Sequence, residues 1–278
     1  MSEFTVNLPY FDRLLQELER GNPAMVQAFG RHVHWGYWEE PNSADSSPAD
    51  FARAAEHLCR KVCDAAGVEG GDHVLDVGCG FGGTIASLNE RFFSLTLVGL
   101  NLDERQLVRA RNLVQPRQDN QIQFLQGNAC QLPFADATFD VVLAVECIFH
   151  FPSRETFFQE ARRVLRPGGR LALSDFVLIP GVLPWLRLIG FWVEGEVART
   201  YGRVNTRFSV SDYRQLAQQT GFALVKEEDI TRQTLPTYPA VRQLFRQAGD
   251  PEADRVTAGI EWLSRLGLLR YAILAFTA

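Results

Sequence analysis

The chain has 278 residues, of which 46% are hydrophobic and 22% are charged, as in globular proteins with one large domain and a sizeable core. Its net charge of -5 argues against a nucleic-acid partner, because proteins that bind nucleic acids carry a basic surface. No stretch approaches the roughly 20 apolar residues of a membrane span, and residues 1–9 lack the basic start and apolar run of a signal peptide, so we expect a soluble, cytoplasmic protein.

The first 60 residues predict helices joined by a loop. Leucines with helical spacing precede an Asn-Pro pair at residues 22–23, which interrupts the pattern. Residues 39–50 are polar, with two prolines and three serines, and predict an exposed connector before a second helix that begins near Pro48. The five cysteines are odd in number and irregularly spaced, which predicts reduced, buried thiols and no metal site.

From His73 onwards, short apolar segments alternate with longer amphipathic ones. This alternation of strand and helix patterns indicates βαβ units, with a parallel sheet and right-handed crossovers. We predict strands at residues 73–77, 95–100, 121–126, 139–145, 170–176, 222–230 and 269–276, and helices at 84–91, 104–114, 156–165 and 239–266.

Residues 180–193 depart from this rhythm, because nine of the twelve residues from Val182 to Val193 are apolar. We interpret the segment as a cap that places Trp185 and Trp192 against a bulky, hydrophobic substrate. A dimer interface and a surface helix that touches a membrane are the alternatives.

The most informative segment is residues 74–83, which reads Val-Leu-Asp-Val-Gly-Cys-Gly-Phe-Gly-Gly. A predicted strand runs into Asp76 and then into glycines at alternate positions, Gly78, Gly80 and Gly82. Glycine adopts positive φ and lets a ligand approach the backbone, and such a turn lies at the carboxyl edge of an open α/β sheet, where ligands bind. The G-x-G-x-G spacing differs from the dinucleotide pattern G-x-G-x-x-G, and Asp76 suits a cationic group better than a pyrophosphate.

This segment resembles motif I of the class I S-adenosylmethionine (SAM)-dependent methyltransferases, and the similarity extends over residues 71–176. Two further segments resemble the small-molecule members, such as the rebeccamycin sugar O-methyltransferase and the tocopherol and sarcosine/dimethylglycine methyltransferases. The matching features are Asn101, Gly127-Asn128-Ala129, Leu132-Pro133-Phe134, Phe139-Asp140 and the Leu165–Gly169 turn, and for the small-molecule members His34-Trp35-Gly36-Tyr37-Trp38 and Ser174-Asp175-Phe176.

The resemblance implies a Rossmann-like, doubly wound α/β fold with a mostly parallel seven-stranded sheet whose last strand is antiparallel. It implies an N-terminal helical lid at residues 1–60, a SAM-binding core at 61–178, and cap helices with closing strands at 179–278. The expected partners are SAM, its product S-adenosylhomocysteine and a small-molecule substrate, and a homodimer is left open.

The resemblance also assigns residues to the cofactor. Asn101 stands where many relatives have an acid that binds the ribose, and the neighbouring Asp103 is an alternative for that role. Asn128 stands where relatives have an aspartate that receives the adenine amino group, and its side-chain oxygen is still an acceptor. For both asparagines a plain role in a turn is the alternative. The expected cofactor residues are Asp76, Gly78, Gly80, Gly82, Asn101, Leu102, Asn128, Ala129, Glu146 and Tyr10.

The loop after the fourth predicted strand carries the candidates for the chemistry. His150 is our candidate for the general base, because its ordinary pKa of about 6.5 suits neutral pH. The rebeccamycin-type enzyme has two adjacent histidines here, and Phe149 replaces the first. Asp175 matches an acidic position of that enzyme and is expected to orient His150, whereas Glu146 is expected to line the pocket or bind an amine. A packing or capping role is the alternative for His150 and Asp175.

Tyr10 and the aromatic residues of the segment His34–Trp38 are expected to form a lid over SAM and substrate. Such a lid excludes water, and aromatic faces suit a sulfonium cation. Packing under the N-terminal helices is the alternative. The expected substrate contacts are Trp35, Tyr37, Phe149, Trp185 and Trp192.

We expect methyl transfer to a hydroxyl oxygen, because a hydroxyl needs a base such as His150 whereas a free amine does not. Methylation of carbon or nitrogen is an alternative, and a SAM-binding protein without methyl transfer is an alternative of a different class. The glycine spacing disfavours an NAD(P)-dependent oxidoreductase. Protein and nucleic-acid substrates are disfavoured, because the sequence shows no basic groove and no tetrapeptide such as Asn-Pro-Pro-Tyr after the fourth strand.

Overall fold

A computed structural model describes residues 8–182, 195–205 and 207–278. Its centre is one seven-stranded sheet. The strands are β1 (His73–Val77), β2 (Thr96–Asn101), β3 (Gln121–Gln126), β4 (Phe139–Val145), β5 (Leu165–Leu178), β6 (Ala223–Asp229) and β7 (Leu269–Thr277). Their order is β3-β2-β1-β4-β5-β7-β6. Strands β1 to β5 pair in parallel, and β7 is antiparallel to both of its neighbours, which confirms the predicted fold class.

Helices cover both faces of the sheet and its carboxyl edge. Several begin at residues whose side chains cap the free N–H groups of the first turn: Asn22 accepts from Ala24 and Met25, and Ser47 accepts from Asp50. The helices are α1 (Pro9–Glu19), α2 (Pro23–Phe29), α3 (Pro48–Ala66), α4 (Gly83–Arg91), α5 (Glu104–Leu113), α6 (Arg154–Val164), α7 (Val210–Thr220), α8 (Thr231–Thr234), α9 (Thr237–Gln247) and α10 (Pro251–Arg265), and residues 195–201 are also helical.

Two predicted elements are corrected by the structure. The helix predicted at residues 239–266 is two helices, because Gly249 adopts a φ of +70° and Asp250 then caps α10 by accepting from the Ala253 N–H at 3.0 Å. Strand β5 begins at Leu165, earlier than predicted. The Pro-Gly turn at 166–169 lies inside it as a bulge, since the pairing with β4 jumps from Phe139–Leu165 to Val141–Arg170.

The hydrophobic core has three parts. One face of the sheet packs against α3, α4 and α5, and the other packs against α6 and α7, as expected for a parallel sheet that is buried on both sides. A third cluster joins α1 and α2 to α3, α9 and the ring of Phe81 in the glycine loop. The N-terminal helices therefore stand over the carboxyl edge of the sheet, and residue 60, the expected lid boundary, falls inside α3.

Other sequence-based expectations are tested by the described residues. Cys59, Cys63, Cys79 and Cys147 are free and buried, and Cys130 is free and half-buried. Within the described ranges, no helix is long and apolar enough to cross a membrane.

Candidate active site

A cavity of about 450 Å³ lies between α1, the carboxyl edge of the sheet and the junction of α9 with α10. Its mouth carries charged residues such as Arg13 and Arg20, whose side chains are 54% and 71% exposed. Its walls are mostly apolar, with Phe29, Phe149, Phe176, Val197, Phe245 and Leu263 among them. The polar groups of its walls include Tyr10, His34, Glu146, His150 and Tyr201.

His150 ends the short 3₁₀ turn Ile148–His150 that follows β4. Its Nδ1 lies 3.3 Å from the carbonyl oxygen of Arg203, and its Nε2 lies 3.3 Å from the hydroxyl of Tyr10. Because a carbonyl only accepts, Nδ1 carries the hydrogen and Nε2 presents its lone pair to Tyr10. Burial lowers the pKa of His150 from the ordinary 6.5, on which its choice as base was founded, to about 4, so the ring is neutral at neutral pH and is a weaker base than expected.

Glu146 is the first residue after β4 and has a φ of +52°, a left-handed conformation that is strained for a residue with a long side chain. The Trp35 N–H donates to its Oε2 at 2.9 Å, and the Tyr271 hydroxyl donates to the same oxygen.

Burial raises the pKa of Glu146 to about 8, although both hydrogen bonds lower it. The side chain is therefore a cavity carboxyl group that changes charge near neutral pH.

Asp175 lies elsewhere than predicted. Its carboxylate is buried among the Arg154 guanidinium, 2.8 Å away, and the Tyr213 hydroxyl, 2.5 Å away. It is not part of the described cavity lining, and the group that receives the Nδ1 hydrogen of His150 is a backbone carbonyl instead. Asp175 therefore does not touch the residue that it was expected to orient, because Arg154 provides a stronger, charged partner for the carboxylate.

The glycine loop follows β1 as predicted. Gly78, Gly80 and Gly82 have φ values of +74°, +54° and +78°, which favour glycine. A Cβ at Gly78 would lie 2.7 Å from the Cβ of Cys147, the residue after Glu146, and a Cβ at Gly80 would lie 2.8 Å from Cγ2 of Val33. The loop therefore packs against Cys147, the residue next to the cavity residue Glu146, and is covered by Val33 of the N-terminal segment.

Asp76 gives the test of whether a cationic cofactor fits this loop. The side chain is 1% exposed, and its Oδ2 has no hydrogen-bond partner among the described residues. Burial raises the pKa of Asp76 well above its usual range. A buried carboxyl group with a spare oxygen is costly unless a donor or cation completes it, so the loop fits a ligand that carries an ammonium or sulfonium group.

The other expected cofactor residues lie at the ends of β2 and β3. Asn101 accepts from the Asp103 N–H at 3.1 Å and Asn128 accepts from the Cys130 N–H at 2.8 Å, so each side-chain oxygen stabilises its own turn. Asp103, the alternative acid, is bound by Arg105. The Leu102 carbonyl accepts from Gln126, and Ala129 is 7% exposed in the core.

The aromatic residues that were expected to form the lid divide between the cavity and the core. Trp35 lines the cavity and packs edge-on against Tyr238, with ring centroids 4.2 Å apart. Tyr37 is buried in the core with Lys61 over its ring, and the Trp38 indole donates to Asp50 at 2.8 Å. Of the residues predicted to contact substrate, Tyr37 therefore lies in the core, whereas Phe149 lines the cavity. Trp185 and Trp192 lie outside the described residues.

Sequence analysis missed the tyrosines that come from distant elements. Tyr271 on β7 lies opposite Phe176 on β5 and holds Glu146, and Tyr201 packs 5.7 Å from the ring of Tyr10. A tyrosine within the apolar strand 269–276 was the available signal, because a buried hydroxyl requires a partner.

Comparisons with known proteins identify the family of the chain. Residues 75–173 match a family model described as a methyltransferase domain. The chain is 34% identical over 240 residues to "Methyltransferase GfsG" of Streptomyces halstedii, covering 84% of this chain and 83% of that protein. It is 31% identical over 237 residues to the "27-O-demethylrifamycin SV methyltransferase" of Amycolatopsis mediterranei, covering 84% and 81%.

Solved structures show the same fold. The mycolic acid cyclopropane synthase CmaA1, complexed with S-adenosylhomocysteine and CTAB, superimposes with a TM-score of 0.76 at 16% identity, over 98% of this chain and 99% of that one. One assignment follows from the sheet order, from the sequence relatives, and from the glycine loop, where a buried carboxyl oxygen of Asp76 has no hydrogen-bond partner among the described residues. The chain belongs to the class I SAM-dependent methyltransferases of small molecules.

Proposed function

We propose that this methyltransferase transfers the methyl group of SAM to a hydroxyl oxygen of a bulky, largely apolar small molecule. The observation that carries the proposal is the cavity of about 450 Å³, whose apolar walls surround the neutral His150. Apolar walls favour an acceptor with a large hydrocarbon or aromatic body, and a neutral imidazole accepts the proton that a hydroxyl loses on methylation. The name of the rifamycin relative, an O-methylating enzyme, supports oxygen as the acceptor atom.

His150 acts as the general base in this proposal. The Arg203 carbonyl holds the Nδ1–H and so keeps the lone pair on Nε2. Tyr10 donates to that lone pair over a long 3.3 Å contact, which an acceptor hydroxyl would replace. A pKa of about 4 keeps His150 in the accepting form at every pH above about 5.

The chain's other residues bind the cofactor and exclude water. SAM supplies a methyl group activated on a positively charged sulfur. Asp76 and the glycine loop would hold the amino acid part, and Asn101 and Asn128 would contact the ribose and the adenine. Glu146, which lies in the cavity beside Cys147 and the loop, would favour the positive charge of the bound cofactor once it ionises.

A screen of acceptors with two variants tests the proposal. Wild type, His150→Ala and Glu146→Gln are incubated with SAM and a panel of hydroxylated apolar compounds, and products are identified by mass spectrometry. We expect methyl ethers, and for His150→Ala a fall in kcat on the order of 10²-fold with unchanged SAM affinity, as loss of a general base predicts.

Three outcomes contradict parts of the proposal. Full turnover of His150→Ala, together with loss of turnover in Glu146→Gln, would assign the base to Glu146. Products methylated on carbon or nitrogen would refute the acceptor atom. Tight SAM binding with no S-adenosylhomocysteine formed from any compound would indicate a SAM-binding protein without methyl transfer.

A cytoplasmic location remains part of the proposal, supported by five free thiols.

A further inference from the structure

A buried ion pair lies next to the segment between β4 and α6 (residues 146–153), which carries His150 and is called the His150 loop. Arg154, the first residue of α6, and Asp175, on β5, have side chains that are 3% and 0% exposed, and Nη2 donates to Oδ2 at 2.8 Å. Tyr213 completes the group, since Arg154 Nε donates to its hydroxyl at 3.0 Å and that hydroxyl donates to Asp175.

Folding stability alone does not explain this buried ion pair. Burying two charges costs about as much as their attraction returns. Arg154 Nη1 and Asp175 Oδ1 are also buried without a hydrogen-bond partner among the described residues, which adds to the cost. The geometry of the pair therefore calls for another explanation.

The explanation lies in the backbone segment to which the ion pair is hydrogen-bonded. Arg154 Nη2, fixed by Asp175, also donates to the carbonyl oxygen of Asn205 at 2.8 Å. The Asn205 N–H in turn donates to the Phe149 carbonyl at 2.8 Å, and the Arg203 carbonyl faces His150 Nδ1. One guanidinium group thus binds the backbone at Asn205. The backbone of residues 203–205 in turn binds the His150 loop at two points, the Phe149 carbonyl and the His150 ring.

We propose that Arg154 and Asp175 are positioning residues, which fix the orientation and tautomer of His150 through the backbone of residues 203–205. If that backbone shifts, the Nδ1–H loses its acceptor, and the hydrogen is free to occupy Nε2, where it blocks proton acceptance. Asp175 therefore acts on His150 through Arg154 and two carbonyl groups, without contact. The inference rests on the proposed function only in naming His150 as the base.

The variants Asp175→Asn and Arg154→Lys test this inference. The first keeps the shape of the carboxyl group and removes its charge, and the second keeps the charge and loses the fork that reaches both Asp175 and Asn205. The matched control is Asp140→Asn, which breaks the Asp140–Arg166 pair at the opposite end of the sheet. SAM binding measured by calorimetry shows that each variant is folded.

The first readout is the ¹⁵N NMR spectrum of histidine-labelled protein, in which His150 is assigned by its loss in His150→Gln. We expect the Nδ1–H tautomer in wild type and in Asp140→Asn. A mixture, or the Nε2–H tautomer, is expected in Asp175→Asn and Arg154→Lys. An unchanged tautomer in both variants would overturn the inference. This measurement needs no methyl acceptor, so its outcome is separate from the fate of the proposed function.

The second readout is turnover in a double-mutant cycle. We expect Asp175→Asn to lower kcat on the order of 10-fold in wild type and to have little effect in His150→Ala, because coupled residues are not additive. KM for SAM is expected to stay constant. An equal loss of kcat in both backgrounds would show a merely structural role.

Discussion

Replacing Glu146 by glutamine is expected to change how the stability of the cofactor-free protein depends on pH. The amide oxygen can still accept from the Trp35 N–H and the Tyr271 hydroxyl, so the shape of the site is kept. What the variant loses is a carboxyl group whose pKa is raised by burial from 4.5 to about 8.

The sign and size of the effect follow from proton linkage. Between these two pKa values the folded protein holds a proton on Glu146 and the unfolded chain does not, so unfolding releases a proton and rising pH favours the unfolded state. The free energy of unfolding that this group contributes then falls by about 1.4 kcal/mol per pH unit. Relative to Glu146→Gln, wild type should lose about 3 kcal/mol between pH 5 and pH 7.

Urea unfolding followed by tryptophan fluorescence at a series of pH values measures this difference. The control is Glu69→Gln, at an exposed position, which should follow wild type. Parallel curves for wild type and Glu146→Gln would refute the assignment of a buried, protonated carboxyl group at this position.

Three further predictions concern the cofactor, the lid and pH. Asp76→Asn removes the carboxylate that is proposed to pair with the cofactor's cation and should raise the Kd for SAM on the order of 10-fold by calorimetry, and an equal Kd would separate Asp76 from the cofactor. Gly36→Ala places a Cβ 2.6 Å from Cζ3 of Trp38 and 2.7 Å from the Cβ of Ala54, so it should destabilise the protein by about 1–3 kcal/mol in thermal unfolding. An unchanged Tm would show that the segment around Gly36 repacks without cost. Because the pKa of His150 is about 4, a pH profile of kcat should show no loss from this residue until pH falls below about 5, and a step near pH 6.5 that His150→Gln removes would contradict that pKa.

The fold was predictable because its signals are local. Strand and helix periods, capping residues and the glycine loop each occupy a few consecutive residues, and β1, β3 and β4 have the predicted bounds. The break at 248–250 was missed because the apolar pattern continues across it, while the turn depends on one glycine and one capping aspartate.

The site was only partly predictable, because its partners are distant in the chain or lie on the backbone. Asp175 binds Arg154, 21 residues earlier, and Tyr213, 38 residues later. His150 binds a backbone carbonyl, which every residue type carries, so no sequence pattern marks it. Trp35 and Tyr37 lie in a segment without helix or strand. No periodic pattern in the sequence therefore indicates which ring faces the cavity and which ring faces the core.

The most direct test of the central claim is the fate of an isotopically labelled methyl group. The enzyme is incubated with methyl-¹³C SAM and a hydroxylated apolar acceptor, and the product is examined by ¹³C NMR. We predict that the label appears as a methyl ether of that hydroxyl. A label attached to carbon or nitrogen of the product, formed at the same rate by His150→Ala, would contradict oxygen methylation with His150 as base.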